Sequence, residues 1–165
     1  MLARAWHRVR QFVGALRPRV SHADRAAAYH DLPEPLRPIF ESMTLRDQQH
    51  GIVVWRRVHA ASPSPDPALF TAALIHDCGK GRVQLWHRIA HVVLEATTPA
   101  LAARIAIPDG PSWRRTLWRL REHPRLGADM AAAASADPET VRLIREQDAP
   151  SPDPRLALLQ AADDA

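Results

Sequence analysis

The chain has 165 residues, 46% hydrophobic and 24% charged, a composition that suits one globular domain with a moderate core and excludes wholesale disorder or a fibrous repeat. Fifteen prolines against six glycines keep uninterrupted stretches short, which excludes long coiled coils and long β-ribbons in favour of short packed helices. Twenty-two basic and eighteen acidic residues leave a net charge of +4 that is nearly all arginine, since Lys80 is the only lysine. That surplus suits a phosphorylated ligand and is too small and too dispersed to point to nucleic acid.

The N-terminal stretch places Leu2, Trp6, Val9, Val13 and Leu16 at helical spacing among arginines, which predicts an amphipathic helix but no apolar run long enough for a signal sequence or a membrane span. Residues 18–38 read as an irregular connector leading into a short turn at 39–43. Thr44 with Asp47 three residues on then predicts a capped helix over 45–60. A Ser/Pro loop at 62–67 ends it, and Asp66 with Pro67 starts a helix to about residue 76 that Gly79 and Gly81 stop. Further helices are predicted over 84–96, from Ser112 as a cap, from Pro124, from Asp137-Pro138 and from Asp153-Pro154. No alternation of polarity points to strands. The expectation is an all-α fold, a single compact bundle of about seven or eight helices. Residues 1–43 form an N-terminal helix and connector packed on the core, and residues 44–165 form the metal-binding domain. Cys78 is the lone cysteine, which excludes an internal disulfide and fits a reducing, cytoplasmic setting.

Chemistry concentrates at residues 72–80, AALIHDCGK, where His76 and Asp77 adjoin at the end of an apolar helix. Burying two such groups without partners costs roughly 2–7 kcal/mol for a neutral group and more for a charge. A metal ion accounts for the pair, and an aspartate cap beside a core histidine accounts for it equally well. His50 tilts the choice, because it shares a stripe with Val54 and Val58 that faces inward. On the last helix Asp163 shares a stripe with Leu156 and Leu159, whereas Asp164 falls beside Ala157 and Gln160. Two His and two Asp from inward faces make a mixed nitrogen and oxygen site, suited to one divalent metal with positions left for water. His87 and His91, four residues apart, are read as a solvated face, and His7, His22, His30 and His59 as surface residues.

The order His50, His76-Asp77, Asp163 resembles the H…HD…D pattern of the HD superfamily of metal-dependent phosphohydrolases, over most of the chain from Leu45 to Asp163. The resemblance implies an all-α fold, a divalent metal (Mn, Co, Ni, Fe, Mg or Zn) held by these four residues, and hydrolysis of a small phosphate ester, often a nucleotide. The segment EHPRLGADMA resembles the H-P-x-x-G-A segment of HD proteins with extra ligands, which makes His123 a further ligand or phosphate contact. Where a second-metal histidine is expected, this chain has Gln147, so one metal is expected and not two.

In this reading Asp77 ligates the metal and takes a proton from the attacking water, Lys80 neutralises phosphate, and Arg121 and Arg125 are further phosphate contacts. Two other readings stand beside the phosphohydrolase. Gln147 and the short stretch after Asp163 suit a catalytically silent module that senses metal or nucleotide. A helical interaction domain, docking through the basic N-terminal helix with its histidines buried for packing, is the third.

Overall fold

The computed structural model describes residues 19–165; the helix expected over residues 2–16 lies outside them. Ten α-helices follow in order: α1 (His22–Asp31), α2 (Arg37–Ser42), α3 (Leu45–Ala61), α4 (Pro67–Ile75), α5 (Leu85–Thr97), α6 (Pro99–Ile105), α7 (Ser112–Arg121), α8 (His123–Ala133), α9 (Pro138–Arg145) and α10 (Pro154–Asp164). Short 3₁₀ turns at Glu34–Leu36 and Cys78–Lys80 complete them, and no strand occurs among the described residues. The all-α class holds, with more helices than the seven or eight expected.

The excess comes from segments where proline looked like a breaker. Ser21 accepts a hydrogen bond from the Asp24 amide and starts α1 inside the presumed connector. Pro35 and Pro38 sit in the first turns of the following 3₁₀ and α segments, where no donor is needed. Pro99 opens α6 in the same way. Elsewhere side chains start the helices as expected: Thr44, Asp66, Asp137 and Asp153 each accept a first-turn amide. Ser112 differs, being the first residue of α7 with Pro111 at the cap and no side-chain cap bond.

α4 is the centre of the molecule. Its sequence PALFTAALI is apolar all round, and every residue from Leu69 to Ile75 is buried. α1, α3, α9 and α10 pack around it, and α8 packs on α9 and on the 3₁₀ turn that follows α4. Ala28, Leu32, Leu36, Ile39 and Phe40 join the same core cluster, so residues 22–43 are continuous with the rest. α5, α6 and α7 pack mainly on one another, and α7 reaches back to α8 and the 3₁₀ turn.

Two glycines set the approaches that build the site. A Cβ at Gly51 would lie 2.5 Å from the Leu74 carbonyl oxygen, so only glycine lets α3 lie this close to α4. A Cβ at Gly79 would lie 2.1 Å from the His123 carbonyl oxygen and 2.7 Å from the Gly127 nitrogen. Gly79 therefore does not stop α4, which ends at Ile75; it admits α8 against the turn.

Candidate metal centre

α4 ends inside the core, so its last turn delivers polar groups to the interior. His76 is the C-cap residue, its amide donating to Ala72 O at 2.8 Å. Its Nδ1 lies 3.0 Å from Ala73 O, a contact that places the Nδ1 proton and leaves Nε2 as the free nitrogen. Asp77 follows at φ −90° and ψ 0°, which turns its carboxylate back beside the ring. Both side chains are only 2% exposed.

Around this pair the other expected ligands gather. His76 Nε2 lies 3.4 Å from Asp77 Oδ1 and 3.4 Å from Asp163 Oδ1. Asp163 also binds His50 Nε2 at 2.6 Å, and the His50 and His76 ring centroids are 5.3 Å apart. His50, His76 and Asp77 offer ligand atoms that lie within 4.8 Å of one another, a group able to hold a metal ion. Asp163 joins through its contacts to both imidazoles. His50 itself is about a third exposed and stands at the rim rather than in the core. Arg57 donates to Ala162 O at 2.7 Å and so fixes the end of α10 that carries Asp163.

Does this constellation fit a cation? His76 Nε2 is buried without a hydrogen-bond partner, and the nearest atoms it faces are carboxylate oxygens. A lone pair aimed at two negative oxygens is repulsive unless a positive charge lies between them, either a proton or a metal. Ligand atoms about 2.1 Å from one ion can lie up to about 4.2 Å apart, so both separations are within the reach of a single cation. Burial alone would lower the His76 pKa; the Asp77 and Asp163 carboxylates outweigh it and raise the value. The same carboxylates therefore favour a cation at Nε2, and metal and proton compete for that place. Burial pushes Asp77 up, but His76, Lys80 and His123 bring it down to about 2. The hydrogen bond from His50, then the nearness of the His76 ring, holds Asp163 far below the ordinary range. Both carboxylates are thus ionised and ready to ligate.

Lys80 binds both oxygens of Asp77, at 2.6 Å to Oδ1 and 2.7 Å to Oδ2, and its side chain is largely covered. It is therefore not the solvent-exposed lysine that a glycine turn would suggest. His123 repeats the arrangement of His76: its Nδ1 lies 2.7 Å from Leu120 O and its Nε2 3.6 Å from Asp77 Oδ1. Burial, followed by the Lys80 charge, lowers the His123 pKa. Gln147 is buried and donates to the His76 carbonyl at 3.2 Å, holding the cap residue, while Gln160 donates to Gln147 O at 2.8 Å. A cavity of about 260 Å³ opens beside the cluster, lined by His76, Gln147, Asp148, Leu159, Gln160 and Asp163 among others.

The flanking arginines divide. Arg125 bonds Glu122 and Asp129 at 3.1 and 3.2 Å on the exposed side of α8, so it is committed there. Arg121 is exposed; burial lowers the His91 pKa against the pull of Glu95, and the Lys80 and Arg121 charges lower it further. His87 and His91 are both partly buried rather than a fully solvated face, and His87 stacks on Trp86 at 3.5 Å. His59 is likewise engaged, stacked on Phe70 at 3.7 Å and bonded to Asp31 at 2.5 Å.

Comparison of the chain with protein-family models, curated proteins and solved structures gives no match. No helix among the described residues is long and apolar enough to cross a membrane.

Proposed function

We propose that the chain is a metal-dependent phosphohydrolase of the HD kind, acting on a small phosphate ester, with a nucleoside monophosphate as the first substrate class to test. One observation carries the reading: His76 Nε2 is buried, unpartnered and 3.4 Å from both the Asp77 and Asp163 carboxylates. His50, His76, Asp77 and Asp163 would hold the ion, and His123 stands beside Asp77 as a further contact. When bound, a divalent cation supplies polarisation of a phosphoryl oxygen and acidifies water. Asp77, whose Oδ1 faces His76 and His123, would be a ligand and would accept a hydrogen bond from the attacking water. Lys80 stays on Oδ2 and presents its charge to the phosphate. Gln147 fixes the His76 carbonyl and contributes no imidazole, which favours a single ion.

A second reading is favoured by Lys80 itself. Its pairing to both Asp77 oxygens neutralises the carboxylate, as suits a catalytically silent module that binds metal or nucleotide without turnover. One experiment separates the readings: metal analysis of the purified chain, then phosphate release from mono-, di- and cyclic nucleotides with Mn, Co, Ni, Mg and Fe. The phosphohydrolase gives stoichiometric metal and phosphate release that chelation abolishes and metal restores. Asp77→Ala loses both metal and turnover; Lys80→Ala keeps the metal and raises KM or lowers kcat. Stoichiometric metal with no phosphate from any substrate favours the silent module, and no metal removes the basis for both.

A further inference from the structure

The α5–α7 unit carries a feature that the metal centre does not use. α5 exposes Trp86, Ile89, Val92 and Val93 by half or more, and Leu101 on α6 and Trp113 on α7 are exposed as well. Trp86, Ile89 and Val93 fall at i, i+3 and i+7, one stripe with Val92 at its flank, while the partly buried His87, Arg88, His91 and Glu95 lie off that stripe. Trp113 stands at the end of α6, since Arg114 donates to Ile105 O and Arg104 O at 2.7 and 2.9 Å and lies 5.8 Å from the Trp113 ring. Single exposed apolar residues are ordinary; a stripe of them headed by a tryptophan marks an interaction face.

Charge is segregated in the same sense. Residues 81–121 hold seven arginines against only Glu95 and Asp109, and residues 1–20 hold five arginines and no acidic residue. The other stretches, 21–80 and 122–165, hold ten basic and sixteen acidic residues. The modest overall surplus therefore conceals two strongly basic stretches, and each carries apolar residues at helical spacing. Arg82, Arg104 and Arg115 are exposed, whereas Arg88, Arg114 and Arg119 are bound to groups of the protein. A second copy of this face, or the basic stretch 1–20, would bring like charges together. A partner with an apolar interior beneath negative groups matches both the stripe and the arginines.

We infer that the α5–α7 face docks on an anionic lipid bilayer. Trp86, Ile89, Val92 and Val93 enter the boundary between headgroups and acyl chains, and the exposed arginines meet lipid phosphates.

The test is co-sedimentation of the full chain with vesicles of phosphatidylcholine alone or mixed with phosphatidylglycerol, with tryptophan emission as a second readout. The expected result is binding to the anionic vesicles at least about tenfold stronger than to the neutral ones. Binding should be lost near about 1 M salt, where screening acts within about 3 Å. Ile89→Glu with Val93→Glu should weaken binding by about tenfold, with helicity and Tm unchanged because both side chains are exposed. Arg82→Glu with Arg115→Glu reads the same face if the first pair fails to fold. Equal binding to both vesicle types, no sedimentation, or wild-type binding by the folded face variants overturns the inference. So does a wild-type dimer that Ile89→Glu with Val93→Glu makes monomeric, or retention by a soluble acidic helical peptide without retention by vesicles.

Discussion

α4 and α5 are both apolar-rich helices of moderate length, yet one is wholly buried from Leu69 onward and the other has no buried residue among its described side chains. The difference lies in their partners. α4 is surrounded by α1, α3, α9 and α10, whereas α5 rests mainly on α6 and α7 and turns its apolar stripe outward. Being surrounded also makes α4 the helix that carries the site. A helix that ends within a core places its last polar residues where water cannot solvate them, so His76 and Asp77 must find charges of their own. The exposed helix meets no such demand.

The comparison breaks most visibly if the two helices respond alike to truncation. Leu74→Ala removes a fully buried side chain at the centre of α4 and should cost about 2–5 kcal/mol. Ile89→Ala removes one of similar size from the α5 stripe and should stay within about 0.5 kcal/mol. Denaturant unfolding of the two variants at equal slope measures both. A loss at Ile89 comparable to that at Leu74 would mean that α5 is covered in the free protein.

Much of this contrast is legible in the sequence, and where it is not the reason is specific. Caps such as Thr44, Asp66, Asp137 and Asp153 act within three residues, so helix starts could be read locally. α1 and α6 escaped because Pro33, Pro35, Pro38 and Pro99 look like breakers until their places outside or in first turns are known. His50, His76, Asp77 and Asp163 could be selected from apolar stripes and a helix end, because those stripes point one way. The nearness of His123 to Asp77 depends on Gly79 admitting α8, a contact over more than forty residues that no local pattern encodes, whereas the Lys80–Asp77 pair is a local i, i+3 contact. The pairing of Arg125 with Glu122 and Asp129, at i−3 and i+4, is likewise a local pattern that the sequence displays.

A sharper form of the comparison concerns how the two regions are joined. Arg88 on α5 donates to both oxygens of Asp47 on α3, at 2.8 and 2.9 Å, and Asp47 is only 2% exposed. Thr44 also donates to Asp47, so the carboxylate keeps one partner when the arginine is removed. Arg88→Ala should therefore cost about 1–3 kcal/mol, less than an abandoned buried charge would. Native-state amide exchange should show the loss first in residues 85–97, with α4 amides still limited by global unfolding. Equal acceleration in both helices would show that α5–α7 opens only with the core.

A smaller effect than that of Arg88 is expected at the surface where α9 meets α10. Asp153 caps α10 by accepting the Arg155 amide and pairs with Arg142, and these bonds bring its pKa from an ordinary value of 3.8 to about 2. A carboxyl with a lowered pKa in the folded state binds its proton less readily there than in the unfolded chain, so it adds stability above the unfolded value and loses it as pH falls through the folded one. Asp153→Asn keeps a cap-competent side chain and removes the charge. Because the pair is near the surface and screened, the wild type should exceed the variant by no more than about 1 kcal/mol at pH 7. That margin should shrink between about pH 4 and pH 2. A margin that persists at pH 2 would assign the contribution of Asp153 to cap geometry rather than to charge.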